Sequence, residues 1–256
     1  MRRLSMDAAA YAMMARTEDR HWWWSGRRTI LREVLGGLFR SGTLPPGALY
    51  DLGCGVGSNL PVLESFGPTV GFDGSDLAVE AAHKLGRMNV RHADLSRGVT
   101  ALEGLCERAS ASVVLLADVL EHLPDERPAM ELASWLLAPG GALVVTVPAF
   151  PLLWGPADEF NHHHRRYTEK TLRPVIADFF VVERMTYFNF FLFAPIALAR
   201  TVTKFARRPG HEEVELPPFP VNMALGALFG AESRLLARRD LPFGVSLLSV
   251  GRKPGA

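Results

Sequence analysis

Short apolar runs alternate with amphipathic stretches from residue 48 to about residue 182. ALYDL (48–52), PTVGF (68–72), ASVVLLA (111–117), GALVVTV (141–147) and FFVVERM (179–185) are rich in Val, Leu and Ala and mostly lack polar alternation. That pattern predicts strands buried on both faces. MNVRHAD (88–94) is a weaker strand and GVSLLSVGRK (244–253) a closing one. The stretches 58–66, 76–85, 127–137 and 168–178 read as helices, each starting near a cap-type residue or proline and ending near Gly or Pro. Such alternation predicts an α/β fold, a doubly wound parallel sheet with helices on both faces.

Two regions lie outside the alternation. Residues 1–46 read as two helices, 6–16 and 27–39, ended by SGTLPPG. Residues 186–242 hold an apolar stretch, a Pro/Gly/charge linker (207–220) and a helix over 221–238. Both are expected as additions to one domain: an N-terminal helical lid (1–46), a core (47–185), a helical insert (186–242) and a last strand with its tail (243–256).

The remaining arithmetic narrows the function classes. A chain of 256 residues with 28 Lys+Arg against 27 Asp+Glu carries a net charge of +1. Nucleic acid as the main partner is disfavoured, because phosphate backbones draw a clear basic excess. Cys54 and Cys106 make no disulfide framework and no zinc site, so a reducing cytoplasm is the expected location. No signal peptide is read in the first residues. The run 187–199 is too short to cross a bilayer of about 30 Å.

The strongest local signal is LYDLGCGVGSNL (49–60), where a buried strand runs through Asp51 into Gly53, Gly55 and Gly57. Glycines there permit positive φ and close approach to a ligand at the switch point of an open sheet. The spacing is not the dinucleotide fingerprint, and no phosphate-loop Lys-Ser/Thr pair follows. A tight turn without ligand is the plain alternative. Asp73, Asp94 and Asp118 end the next three strands, where isolated aspartates usually cap helices. Acidic residues at four successive strand tips instead suggest one ligand-binding rim.

The series DLGCGVG, GFDGSD, ADLS, ADVLEHLPD and LLAPGGALVVTVPA resembles that of class I S-adenosylmethionine-dependent methyltransferases over residues 47–185 plus the closing strand. The resemblance implies a Rossmann-like seven-stranded sheet with its last strand antiparallel, and S-adenosylmethionine as cofactor. Asp51, Gly53, Gly55 and Gly57 would wrap the methionine end. Asp73 would hold the ribose, with Gly74 beside it, and Asp94 and Leu95 would frame the adenine. Cys54, Ala117, Asp118, Trp23 and Arg27 complete the expected cofactor set. The implied activity is in-line methyl transfer to a small metabolite; a cofactor-binding sensor or assembly protein, or a macromolecule methyltransferase, is the alternative.

HWWWSGRR (21–28) and DEFNHHHRRYT (158–168) resemble a bacterial subgroup reading HWWF-x-GRR and W-S-x-H-D-E-x-x-G-H-x-RRY. Trp154, Asp158, Glu159, His163, Arg165, Arg166 and Tyr167 match, whereas Ala157 and His162 depart. The tryptophans suit a lid, or equally a staple for the N-terminal helix. The HHHRRY cluster suits an anionic acceptor, with His163 or Tyr167 as base, or else Arg165 and Arg166 pair with Asp158 and Glu159 to fix a loop. Trp154, His162, His163, Arg166, Tyr167 and Phe190 are the expected acceptor contacts, and His163, Tyr167 and His122 the expected catalytic set. Asp118, Glu121 and His122, a set that His162 to His164 could complete, pose a metal question; the expectation is a site without metal, with His122 as a pocket contact. The aromatic run 187–199 and its basic flank (Arg200, Lys204, Arg207, Arg208) read as a substrate cover, a peripheral membrane contact through 187–208, or a buried helix or homodimer contact.

Overall fold

A computed structural model describes residues 13, 15–206 and 215–255. Most of the expected helix over 6–16, of which residues 13, 15 and 16 are described and helical, and most of the 207–220 linker, including Arg207 and Arg208, lie outside them. The described residues build a seven-stranded sheet from β1 (Ala48–Leu52), β2 (Thr69–Asp73), β3 (Val90–His92), β4 (Ala111–Ala117), β5 (Leu137–Pro148), β6 (Val181–Phe188) and β7 (Ser246–Arg252). Their order is β3-β2-β1-β4-β5-β7-β6. β7 runs antiparallel between β5 and β6, and the other pairings are parallel. The Rossmann-like α/β fold expected from the sequence is therefore present.

Strand alternation sorts the core into two layers. Val113 and Leu115 of β4 join Leu49 and Val144 on one face, where α1 (Trp22–Arg40) packs through Ile30, Leu31 and Leu35. Val114 and Leu116 join Leu52 and Val145 on the other, under α4 (Arg127–Leu136) and α6 (Glu169–Ala177). Every residue of β4 is buried, so its side chains alternate between two apolar layers. Short helices α2 (Leu60–Glu64) and α3 (Asp76–Lys84) follow β1 and β2. After β5 come α5 (Pro156–Phe160) and, beyond α6 and β6, α7 (Phe193–Ala206) and α8 (Phe219–Leu236).

Two expectations need correction. The N-terminal helix starts at Trp22 rather than Arg27, because the His21 imidazole caps it by accepting the Trp23 N–H at 3.2 Å. The three tryptophans thus form its first turn. The apolar run 187–199 is not one helix: Tyr187 and Phe188 end β6, and α7 begins only at Phe193, after a turn with Asn189 at φ +57°. No helix among the described residues is long and apolar enough to cross a membrane.

The insert and the N-terminal helix hold each other. Asn222 of α8 accepts the Trp22 N–H at 2.8 Å and donates to Arg20 O at 2.8 Å. Phe229 of α8 is fully buried, stacks on Phe188 and meets Trp22 edge-on. A methyl group at Gly26 would overlap that ring and stand 2.9 Å from Phe229 Cβ. Gly26→Ala should therefore destabilise the fold by about 1–3 kcal/mol, the usual cost of overpacking. An unchanged urea midpoint would show that Phe229 can move aside.

Candidate active site

The parallel strands β1 to β5 end on one rim, and a cleft of about 1350 Å³ opens there. One half is built by the turn after β1. Gly53, Gly55 and Gly57 all hold positive φ, and a side chain at Gly53 would strike Val119. Asp73 pins this turn: Oδ2 accepts the Gly55 N–H at 2.8 Å and Oδ1 the Ser75 N–H at 2.9 Å. Burial pushes Asp73 above the ordinary carboxylate range, and those two donors oppose the rise. Gly53, Cys54, Gly55, Asp73, Gly74, Asp94, Leu95, Ala117 and Asp118 all line the cleft. Asp94 also caps a 3-10 turn, accepting the Ser96 N–H at 3.0 Å. Burial raises the Cys54 thiol well above its usual value, which suits a wall residue and not a nucleophile.

Asp51 and Gly57 do not reach the cleft wall; they support the turn from behind. Asp51 is completely buried, and burial raises it to about 7.

The helix α1 borders the cleft. Trp22, Trp23 and Trp24 line it, and Arg27 lies 4.8 Å from the Trp23 ring centroid. Arg27 forms an ion pair with Asp118, which holds φ +56° at the tip of β4. Arg28 turns away to donate to the backbone oxygens of Glu18 and Asp19. Buried Glu18 was missed; it reaches the half built by the glycine turn from a segment with no motif.

The other half gathers around Asp158, whose side chain is 1 % exposed. Its Oδ1 accepts from Arg166 Nε at 2.8 Å and lies 2.9 Å from His163 Nδ1, while Oδ2 accepts the Gly155 N–H at 2.8 Å. Arg200 of α7 stands 3.5 Å from Oδ2. Arg200 lines the cleft with Ile196 and Ala199 and was expected only as part of a basic flank. A carboxylate cannot donate, so the His163 Nδ1 carries a proton toward Asp158. His122 meets His163 edge-on at 4.7 Å, and burial lowers its pKa to about 3. Glu121 is fully buried and its pKa is pushed well above the usual range, first by burial and then by Asp118.

Several acceptor expectations fail. Tyr167 is 2 % exposed within the core, and its hydroxyl donates to Glu126 at 2.7 Å. Burial and that bond raise its pKa, so it is not a base. Phe190 packs on Phe243 at 4.5 Å, and neither it nor Trp154 lines the cleft. Arg166 does line it, but as a loop anchor: its Nε holds Asp158 and its NH1 donates to Ala149 O at 3.0 Å. Arg165 pairs with Glu126 at 2.5 Å, outside the cleft. His162 and His163 are on the wall as expected.

Residues 23–179 match the family described as "Methyltransferase domain", which is more than half of the chain. The chain belongs to the methyltransferase domain family. Its family cofactor is S-adenosylmethionine. Curated relatives include trans-aconitate 2-methyltransferase of Sinorhizobium fredii, 36% identical over 109 residues, or 41% of this chain and 40% of that protein. The Pseudomonas aeruginosa enzyme of the same name is 32% identical over 103 residues, 40% of this chain and 36% of that protein. The matched stretch thus spans about two-fifths of either relative. Among solved structures, the methyltransferase partner of the Haloferax volcanii Trm112 methyltransferase activator aligns with TM-score 0.56 at 18% identity, covering 97% of this chain and 95% of that one. A sarcosine dimethylglycine methyltransferase from Galdieria sulphuraria gives 0.54 at 18% identity, with 86% and 83% covered. These likenesses are of fold.

Asp51 makes the family's glycine turn pH-sensitive. Its ordinary value is 3.8 and its folded value about 7, so the folded state binds the extra proton between them. Stability therefore falls as pH rises through that window, and the loss is complete above it. Asp51→Asn should gain stability relative to the parent from about pH 4 to 7 and level off beyond. A pH-independent difference in urea unfolding would refute this.

Proposed function

We propose that this chain is an S-adenosylmethionine-dependent methyltransferase whose acceptor is a small anionic metabolite. The observation that carries the reading is the division of one cleft into two unlike halves. Its volume of about 1350 Å³ exceeds the roughly 300–1,000 Å³ of a single-ligand site, leaving room for cofactor and acceptor together. One half offers backbone cradles and carboxylates. The other brings two guanidiniums, Arg166 and Arg200, to Asp158. Guanidiniums on this wall suit a carboxylate or phosphate.

The chain's residues fit the cofactor. Gly53 and Gly55 let it approach the backbone, and the Asp73 oxygens retain lone pairs for ribose hydroxyls after their two backbone bonds. Asp94 and Leu95 frame the adenine. S-adenosylmethionine supplies an activated sulfonium methyl. The protein then has to align the acceptor and keep water out. Trp22 to Trp24 close the mouth with rings whose faces tolerate positive charge. Arg200 orients the acceptor's anionic group, and Ile196 and Ala199 cover its apolar part. His163 Nε2 is the remaining candidate base, now that Tyr167 is placed in the core. The HWWW and RRY segments support placement in the HWWF-x-GRR subgroup: one forms the lid, the other anchors the acceptor wall.

Calorimetry should show micromolar S-adenosylmethionine binding and none of nicotinamide dinucleotides. A panel of di- and tricarboxylic acids then tests transfer. Arg200→Ala should raise the acceptor KM about tenfold or more, the equivalent of a lost charged hydrogen bond, with cofactor affinity unchanged. No cofactor binding would end the proposal. Binding without transfer to any acid or extract fraction would favour the sensor reading.

A further inference from the structure

We infer that Glu121, His122 and His163 form a binding site for one divalent transition-metal ion at the acceptor end of the cleft. Each of the three offers a ligand atom, and these atoms all lie within 4.8 Å of one another. Atoms sharing one ion through bonds of 2.0–2.2 Å stand about 3–4 Å apart, so modest side-chain movement closes the set. All three residues line the cleft, which leaves the ion open to substrate on one side.

The independent observation is the state of Glu121. The residue is fully buried, and neither carboxylate oxygen has a hydrogen-bond partner from another described residue. A buried carboxyl without partners costs stability unless something fills its lone pairs. Its oxygen and the two imidazole nitrogens already converge, so a cation between them answers that cost. The histidines are prepared as ligands. His163 is oriented by Asp158 through Nδ1 at 2.9 Å, the outer-shell carboxylate arrangement that fixes a metal-binding imidazole. That leaves Nε2 for the ion. Two imidazoles and one carboxylate favour zinc or a first-row transition ion over magnesium or calcium, which prefer oxygen.

The set departs from the D-x-x-E-H spacing. Asp118 is drawn off by Arg27, and a residue 41 positions beyond His122 takes its place. It also reverses the expectation of a metal-free site. What the ion would do for an acceptor rests on the methyl-transfer reading: an acceptor oxygen on the open side would be held and made more acidic, in place of deprotonation by His163. Whether the ion binds does not rest on that reading.

The experiment therefore uses the metal alone. The chain is stripped with a chelator and titrated with Zn²⁺ by calorimetry, and with Co²⁺ by visible absorption, without cofactor. One ion per chain with a tetrahedral or five-coordinate cobalt spectrum is expected. Glu121→Gln and His163→Ala should each weaken binding at least tenfold. The double variant His162→Ala/His164→Ala should bind as the parent does, because those imidazoles are outside the set. Glu121→Gln removes a buried carboxyl and should fold at least as stably as the parent, which keeps the test interpretable. No binding at millimolar ion, binding unchanged in both single variants, or loss confined to the double variant would each overturn the site.

Discussion

The chemistry of this protein depends on the burial of its sheet on both faces. Every residue of β4 is enclosed, and β1 and β5 contribute to the same two apolar layers. A polar side chain inside those layers would be costly unless paired. Polar groups are accordingly concentrated at the C-terminal tips, where the strands run out and the chain turns. The strand order reverses between β1 and β4, so the turns after them diverge and leave a cleft. Asp73, Asp94 and Asp118 share a rim for this reason.

Buried carboxylates then divide by whether the fold satisfies them. Asp73 receives two backbone N–H groups, and Asp158 receives an N–H, a guanidinium and an imidazole. Both act as fasteners: one ties the glycine turn to β2, the other ties the segment after β5 to itself. Glu121 is equally buried but finds no hydrogen-bond partner in another described residue, and Asp51 is raised to about 7. The fasteners fix the walls. The unfilled groups mark positions where the isolated chain is less stable than it would be with a ligand or proton in place.

Much of this was legible in the sequence, for reasons that also explain the failures. Continuous Val/Leu runs locate β1, β4 and β5 because strands buried on both faces have no polar phase to misread. The glycine turn and strand-tip aspartates are local, and Gly53, Gly55, Asp73, Asp94 and Asp118 line the cleft, whereas Asp51 and Gly57, expected beside them, do not. Acceptor residues were harder. In RRYT, adjacent side chains point to different surroundings: Arg165 to Glu126, Arg166 to Asp158, Tyr167 into the core. Composition cannot say which one meets the cleft. Phe190 was misplaced because its run breaks at Asn189, whose left-handed conformation no periodicity reveals. Arg200 was visible only as charge, since its inward direction is set by α7 packing near Leu153 O, 2.9 Å from its NH1.

The N-terminal helix and the insert, far apart in sequence, pack against each other. α1 carries the tryptophans and Arg27 over the cofactor half; α8 grips α1 through Asn222 and the Gly26–Phe229 contact. Phe229 in turn stacks on Phe188, the last residue of β6. From that same strand end the chain continues into α7, which places Arg200 in the acceptor half. A single packed column thus joins the cover over the cofactor to the wall that would hold the acceptor. Interiors packed at this density transmit displacement instead of absorbing it. Trp22 meets Phe229 edge-on, and Phe229 stacks on Phe188, so the three rings form one continuous contact. The N-terminal and insert regions lie outside the alternating core, yet their packing makes both part of the same site.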